Sequence, residues 1–219
     1  MKQKVISIEQ AVDMVYDGMS IMVGGFLGCG NPNKIIDALV KKQVKNLTII
    51  CNDAAFPGRG VGKLFDNKQV DLLICSHIGT NPEVGRQMTQ GETTVDLRPQ
   101  GTLAEQMRCA GSGLGGFLTP TGVGTMVAEG KQVVNVDGKD YLIELPLKAD
   151  LALLCGYKVD KQGNVFYKQS TQNFQPIMAI AADLVIVEAD NVVEVGEIPA
   201  ESIHTPSIFV DYIVDGGAL

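Results

Sequence analysis

The residues that could do chemistry in this chain lie where predicted strands end and predicted helices begin. Four such groups combine glycine, amide, hydroxyl and imidazole residues: Gly24–Gly30, Asn52-Asp53, Ser76-His77 and Arg98-Pro99-Gln100-Gly101-Thr102. In open α/β sheets, ligands bind beside the carboxyl ends of the strands. We therefore expect these groups to meet at one edge of a sheet and to form a site there.

The glycine-rich corner has the features of an anion-binding turn. Ile21–Val23 reads as a buried strand, and it is followed by Gly24, Gly25, Phe26, Leu27, Gly28, Cys29 and Gly30. Asn31-Pro32 then begins a helix, with Pro32 at the first helical position, where a missing N–H does no harm. Glycine allows a close backbone approach, and free N–H groups at a helix start favour negative charge.

Two other interpretations of this corner stay open. Gly28 and Gly30 match the first two glycines of a dinucleotide-binding fingerprint, but Asn33 stands at the third position. Asp53 would be the acidic residue that this fingerprint expects after the next strand. The alternative is that the glycines only form a tight turn.

Gln100 is a candidate for oxyanion stabilisation. It stands between Pro99 and Gly101, just before a predicted helix. A fixed amide donor beside free helix N–H groups could stabilise a developing oxyanion. The alternative is that Gln100 only caps its helix.

The remaining reactive side chains form no recognisable catalytic set. His77 and His204 are the only histidines, and they belong to no Ser-His-Asp or Cys-His pattern. Glu188 follows an apolar strand and is either a general base or a hydrogen-bonded strand end. No two of the five cysteines are spaced as a metal-binding pair, so we expect small buried thiols and no metal. The loop Gly111–Gly124 holds six glycines, which suggests a ligand, a second chain or a long structural loop.

Composition narrows the class of protein. The chain has 219 residues, 45% of them hydrophobic and 20% charged, which is typical of a globular protein. The net charge of -7 argues against nucleic acid or an anionic membrane as a partner. We find no signal peptide and no apolar run long enough to span a membrane, and therefore expect a cytoplasmic protein. We expect residues 1–219 to form a single domain.

The predicted elements alternate between short apolar strands and helices, which indicates an α/β fold. We predict an open, mainly parallel sheet with flanking helices and an inserted antiparallel hairpin section. The first predicted helix begins at the capping box Ser7–Gln10 and is stopped by Asp17-Gly18, and the next one has Ile35, Ile36, Leu39 and Val40 along one face. Further predicted helices are Pro82–Gln90, one that begins at a second capping box at Thr102 and runs to about Cys109, and a short one near Pro176–Ala182. The predicted strands beyond Ile21–Val23 are Leu47–Cys51, Asp71–Cys75, Thr94–Arg98, Leu151–Gly156, Val165–Tyr167, Leu184–Glu188 and Ile208–Val214. A hairpin of Val133–Val136 and Tyr141–Glu144 is predicted around Asp137-Gly138.

Taken together, these motifs resemble family I coenzyme A transferases, and most of all the α subunits of the bacterial acetate/butyrate–acetoacetate type. The resemblance runs from about Ile6 to Val214. The matching segments are Asp17-Gly18, Ile21–Phe26, Gly30, Pro32, Leu47-Thr48, Asn52-Asp53, Ser76–Gly79, Arg98–Thr102, Gly115–Gly122, Gly163-Asn164, Asn173-Phe174 and Ile203–Pro206.

The resemblance implies a ping-pong transfer of coenzyme A between short-chain carboxylates, with acyl-CoA as substrate and no prosthetic group. A glutamate forms an acyl anhydride and then a glutamyl-CoA thioester. In this family the glutamate belongs to a β subunit, in a Ser-Glu-Asn-Gly-like segment that this chain lacks. The resemblance therefore implies a hetero-oligomer such as α2β2 or α4β4. By matching position, Gln100 and Asn52 line the acyl pocket, and Gly24–Gly30 is the segment described as CoA-binding.

Two other functions are compatible with an α/β fold of this kind. A sugar-phosphate sensor domain would bind a phosphosugar as the isolated chain. A phosphosugar isomerase would need an acid/base carboxylate within this chain.

Overall fold

The computed structural model describes residues 4–217. Its strands, in chain order, are β1 (Val5–Ile6), β2 (Ser20–Val23), β3 (Leu47–Ile50), β4 (Val70–Cys75), β5 (Thr94–Leu97), β6 (Phe117–Thr119), β7 (Val133–Val136), β8 (Lys139–Glu144), β9 (Ala149–Asp160), β10 (Val165–Phe166), β11 (Ala182–Val193) and β12 (Tyr212–Asp215). Nine of these strands form one sheet in the order β1-β12-β11-β9-β2-β3-β4-β5, with β10 paired to β9. Every pair is parallel except β10 with β9, so the predicted open, mainly parallel sheet is confirmed.

Helices cover both faces of this sheet. They are α1 (Ile8–Asp13), α2 (Asn33–Lys42), α3 (Gly62–Asp66), α4 (Pro82–Gln90), α5 (Gln100–Gly111) and α6 (Gln175–Ala179). Side chains of α1 to α4 pack with Ile21 and Val23 of β2, whereas α5 and α6 pack with Met22. Successive strand residues point to opposite faces, so a strand buried on both sides must be apolar throughout. None of the helices in the described part is long and apolar enough to cross a membrane.

The inserted section is a separate three-stranded antiparallel sheet in the order β6-β8-β7. Asp137 and Gly138, with φ angles of 51° and 80°, form its predicted turn between β7 and β8. β6 lies within the glycine-rich segment Gly111–Gly124 and pairs with β8. Part of that segment is therefore a strand of this sheet.

Several predicted boundaries were wrong. α5 begins at Gln100, with Pro99 as its N-cap, so Thr102 is a buried residue inside the helix and not the start of a capping box. Pro32 is likewise the N-cap of α2, one position before its first helical residue. In both places proline starts the helix through its restricted φ, without a capping side chain.

The C-terminal elements also differ from the prediction. Residues Ser207–Phe209 form a 3-10 turn after Pro206, and β12 begins only at Tyr212. Ile208 is 81% exposed, because the turn keeps this apolar residue outside the sheet. β9 and β11 are each 12 residues long, longer than predicted, because they pair with each other along ten registered positions.

Candidate active site at the carboxyl edge of the sheet

The predicted groups meet at the carboxyl edge of the main sheet. The glycine corner follows β2, and β2 lies between β9 and β3, where the strand order reverses. Asn52 and Ser76 follow β3 and β4 on one side of the corner. On its other side β9 and β11 run on past the end of β2 and carry Cys155 and Glu188. The corner therefore divides the edge into two halves.

Asn52 and Gln100, the two predicted acyl-pocket residues, are in contact. Gln100 Nε2 donates a hydrogen bond of 3.2 Å to Asn52 Oδ1. Ser76 Oγ donates to the same Oδ1 at 3.2 Å and to the Asn52 carbonyl at 2.8 Å. Asn52 is 3% exposed, whereas Gln100 is exposed at the first position of α5. Within residues 4–217 no hydrogen bond uses Asn52 Nδ2, so this amide keeps a donor for a ligand.

The glycine corner is a tight β-hairpin. Phe26 and Cys29 exchange two backbone hydrogen bonds of 2.9 Å, and Leu27 and Gly28 occupy the turn with φ angles of 50° and 83°. Two positive φ angles in a two-residue turn define type I′. Phe26 is 41% exposed and Cys29 is exposed as well, so this hairpin offers side chains to a ligand.

Asp53 holds this hairpin to the end of β3. Its Oδ2 accepts the Leu27 N–H at 2.9 Å, and its Oδ1 accepts the Ala55 N–H at 2.7 Å. Asp53 is only 4% exposed. The aspartate therefore fixes the hairpin tip next to Asn52, which is a structural role that the sequence did not reveal.

The glycines of the corner make room for two buried amide side chains. A Cβ atom on Gly25 would lie 2.0 Å from Asn31 Nδ2, and a Cβ atom on Gly24 would lie 2.6 Å from Gln175 Oε1. Asn31 Nδ2 donates to the Gly24 carbonyl at 2.5 Å, and Gln175 Oε1 accepts the Cys155 N–H at 2.6 Å. These glycines are therefore required by packing within the chain.

Two N–H groups at the start of α2 are used within the chain and are not free for an anion. Glu188 of β11 accepts the Lys34 N–H at 3.2 Å through Oε1 and the Ile35 N–H at 2.9 Å through Oε2. Glu188 is thus a hydrogen-bonded strand residue that caps a distant helix. Burial raises the pKa of this carboxyl, and the two N–H groups oppose the rise.

A cavity of about 300 Å³ lies on the β9–β11 side of the hairpin. Its walls include Cys29, Lys34, Cys155, Glu188 and Asp190. Burial raises the pKa of Asp190 and of the Cys155 thiol. A larger groove of about 480 Å³ lies between α1 and α2, and its lining includes none of the four predicted groups.

The other candidate residues have structural contacts. His204 Nδ1 accepts the Tyr167 N–H at 3.1 Å, and its ring stacks on Phe166 and Tyr167. Burial raises the pKa of the Cys51 thiol and, to about 12, that of Cys75, so neither is a ready nucleophile. Among the described residues, no group of three or more His, Cys, Asp or Glu side chains could hold a metal ion.

Sequence reasoning missed Asn31 and Gln175, the two amides that set the shape of the corner. Asn31 follows the last glycine directly, but nothing in the pattern shows that its side chain folds back on Gly24 and Gly25. Gln175 comes from α6, 151 to 145 positions away from the glycines that it contacts. A close contact over that separation leaves no local signal.

The fold and this edge site place the chain in a known class of enzyme. A model described as coenzyme A transferase matches residues 5–216. The chain belongs to the coenzyme A transferase family and is a CoA-transferase subunit.

Individual relatives agree with this assignment. The chain is 52% identical to acetate CoA-transferase subunit alpha of Escherichia coli over 98% of this chain and 97% of that one. It is 51% identical to the acetoacetyl-CoA:acetate/butyrate CoA transferase alpha subunit of Clostridium acetobutylicum, with 98% of each chain covered. The resemblance stated above is thereby confirmed, and the sugar-phosphate sensor and isomerase alternatives are not supported.

Solved structures share the fold at low sequence identity. Glutaconate coenzyme A-transferase from Acidaminococcus fermentans superposes with a TM-score of 0.85 at 17% identity, over 98% of this chain and 76% of that one. An acyl-CoA transferase from E. coli O157:H7 in a thioester complex with CoA superposes with a TM-score of 0.86 at 22% identity. The superposition includes 97% of this chain and 47% of that longer polypeptide.

Proposed function

We propose that this chain is the α half of a transferase that exchanges coenzyme A between short-chain acyl-CoA and a free carboxylate. The substrates are those of its relatives, namely acetate, butyrate and acetoacetate and their CoA thioesters. The nucleophilic glutamate comes from a β subunit, as the α-subunit names of the relatives imply. The complex is a hetero-oligomer such as α2β2 or α4β4.

One observation carries the proposal: the Asn52–Gln100 pair offers amide donors but has no free carboxylate beside it. Asp53, the adjacent residue, uses both oxygens to hold backbone N–H groups. Asp96, near the start of α5, is paired with Arg98 through Oδ2 at 2.7 Å. Within the described chain Asp53 and Asp96 are thus both engaged, which supports a nucleophile supplied by another chain.

The reaction proceeds through two covalent intermediates on the partner's glutamate. A glutamate oxygen attacks the thioester carbonyl, the C–S bond breaks, and CoA leaves as a thiolate. The thiolate then attacks the glutamyl carbonyl of the anhydride and releases the first carboxylate. The second carboxylate reverses both steps, so that the glutamate is regenerated and a new acyl-CoA is formed.

Asn52 and Gln100 stabilise the oxyanions of these steps. Each attack on a carbonyl develops negative charge on oxygen, and donors held in advance lower that barrier most effectively. Asn52 Nδ2 and the second N–H of Gln100 Nε2 are available, because only Asn52 Oδ1 and one amide proton serve their mutual contact. The first N–H groups of α5 lie beside them and add a positive helix end.

The hairpin Gly24–Gly30 forms one wall of the pocket for acyl-CoA. Asp53, the residue after Asn52, holds the tip of this hairpin through the Leu27 N–H. This position supports contact of the hairpin with the acyl group or the pantetheine arm. Phe26 and Cys29 present exposed side chains there. The corner contributes shape to this pocket, because Glu188 already neutralises the start of α2.

Coexpression tests the proposal. The chain to coexpress is a β subunit with a Glu-Asn-Gly segment, sought first in the adjacent gene, and the purified pair is incubated with acetoacetyl-CoA or butyryl-CoA. We expect CoA transfer to acetate, a CoA adduct on the partner by mass spectrometry, and no transfer by this chain alone. An adduct on this chain, or full activity without the partner, would overturn the assignment.

A further inference from the structure

We propose that Arg98 and Gln106 are positioning residues for Gln100, acting through a chain of hydrogen bonds that crosses α5. The proposal rests on the function proposed above, because it concerns the same amide. It adds two residues whose side chains make no hydrogen bond with Asn52 or Gln100 among the described contacts and that fix the location of the first turn of α5.

Arg98 locks the turn between β5 and α5. Its Nε and Nη2 donate to Asp96 Oδ2 at 3.0 and 2.7 Å, and its Nη1 donates to Gln106 Oε1 at 2.8 Å. Its backbone N–H also donates to the Cys75 carbonyl of β4 at 2.9 Å. One residue thus joins β4, β5 and α5, two positions before Gln100.

Gln106 extends this chain of contacts to the small sheet. Its Nε2 donates to Glu144 Oε2 of β8 at 3.0 Å, and Glu144 Oε1 accepts from Lys131 Nζ at 2.6 Å. Gln106 is 5% exposed and Glu144 is 2% exposed. The arginine at one end and the carboxylate at the other fix which way the Gln106 amide points. A buried carboxylate needs such partners, so breaking the chain of contacts anywhere is unfavourable.

Gln100 needs this external support because its own side chain is weakly held. It is exposed and makes one hydrogen bond of 3.2 Å, to Asn52. As the first residue of α5, it moves wherever the helix start moves. Gln106 lies six positions further along, about 9 Å at the rise of an α-helix, and so acts through the helix and not by contact. A misplacement of about 1 Å in a catalytic group can cost about a hundredfold in rate.

Gln106→Met in the assembled α/β complex is the first test. It keeps the side-chain length and removes both hydrogen bonds. We expect kcat to fall by about tenfold or more while KM for acyl-CoA stays nearly constant, since a transition-state interaction is lost and not ground-state binding. Glu105→Gln is the matched control, because Glu105 is the neighbouring helix residue and pairs only with Arg108 among the contacts described. A complex with lower thermal stability but unchanged kcat would show a merely structural role and overturn the proposal.

A rescue experiment sharpens the test. Gln106→Glu alone places a second carboxylate against the buried Glu144, and we expect it to be at least as harmful as Gln106→Met. Adding Glu144→Gln restores both hydrogen bonds of position 106. The new carboxylate at position 106 accepts from Arg98 and from the new amide at position 144. We expect the double variant to recover most of kcat. A double variant no better than Gln106→Glu would contradict the proposal.

Amide hydrogen exchange separates this inference from the proposed function. If the wild-type pair transfers no CoA, the proposed function fails, whatever the variants do. In this chain alone, Gln106→Met is expected to speed exchange in the first turns of α5, whereas Glu105→Gln leaves it unchanged. Equal exchange in the two variants would overturn the positioning role independently of activity.

Discussion

At the scale of single residues, amide and carboxylate side chains at this edge of the sheet have different hydrogen-bonding roles. Asn52 and Gln100 keep donors available, while Asp53 spends both of its oxygens on backbone N–H groups. A neighbouring Asn and Asp therefore have different tasks although they occupy adjacent positions. Asn52 directs its amide toward Gln100 of α5, whereas Asp53 directs its carboxylate toward Leu27 of the hairpin.

Gln100→Ala tests the proposed catalytic role of this amide. In the complete complex we expect assembly to persist and kcat to fall by about a hundredfold, the usual loss when one oxyanion donor is removed. Gln132→Ala, at an exposed position before β7, is the control and should leave turnover unchanged. Steady-state kinetics and gel filtration measure both effects. Unchanged turnover in Gln100→Ala would remove this residue from the site.

Two glycines of the hairpin differ in why they must be glycine. Gly25 and Gly28 both have positive φ angles, but a Cβ atom on Gly28 would meet nothing within 4 Å. Gly28→Ala should therefore lower the free energy of unfolding by about 1 kcal/mol from backbone strain alone. Gly25→Ala should lower it further, by about 1–3 kcal/mol, because the methyl group collides with Asn31. Urea unfolding of this chain measures both, and equal midpoints would contradict the packing explanation.

At the scale of elements, the start of α2 is completed by a strand that lies far away in sequence. Glu188 of β11 lies 154 positions after Lys34 and supplies the cap that Pro32 lacks. This contact occupies two of the N–H groups that a helix start can offer to an anion. Helix and strand are thereby fixed to each other on the β9–β11 side of the hairpin.

Glu188→Ala should weaken this junction. We expect the free energy of unfolding to fall by about 1 kcal/mol, as for loss of a helix cap, and the Lys34 and Ile35 amides to exchange faster. Asp190→Ala is the matched control, because Asp190 lies two residues along the same strand and caps no backbone N–H among the described contacts. Hydrogen exchange and urea unfolding provide the measurement. Equal exchange at Lys34 in both variants would show that Glu188 is not the cap.

At the scale of the whole molecule, two groups of strands join where β2 pairs with β9. The contact between β2 and β9 begins at Ser20 and Asp150. Asp150 Oδ2 accepts the Ser20 N–H at 2.8 Å and the Ser20 hydroxyl at 2.6 Å. These hydrogen bonds lower the pKa of Asp150. A carboxyl with a lowered pKa stabilises the fold above its unfolded pKa of about 3.9, and this contribution is lost as the pH falls through the folded pKa.

Asp150→Asn should therefore destabilise the chain in a pH-dependent manner. At pH 7 we expect a loss of about 1 kcal/mol, at the low end for a charged hydrogen bond because the side chain is partly exposed. As the pH falls below the unfolded pKa and then through the lowered folded pKa of Asp150, the variant and the wild type should converge, because the wild-type carboxyl becomes protonated. Asp183→Asn, at an exposed position of β11, is the control. A constant difference across the pH range would contradict the linkage.

The sequence by itself determined the class of fold and nominated the residues of the candidate site. Apolar runs of strand length, separated by helical patterns, predicted the parallel sheet, and Asp137-Gly138 predicted the hairpin, since these signals act over a few residues. The same local signals put Asn52 and Gln100 at strand and helix ends, from which their meeting at one edge follows. The resemblance then supplied the family, which the relatives confirm.

Only the tertiary structure decided what each group at that edge does. Glu188 reaches the start of α2, Gln175 fills the space beside Gly24, and Asp53 holds Leu27. Each of these contacts joins segments separated by 26 to 154 positions, and therefore neither strand periodicity nor helix periodicity predicts it. The helix start that looked like a free anion site is partly occupied by the chain's own Glu188, because polar groups that become buried in a fold pair with one another.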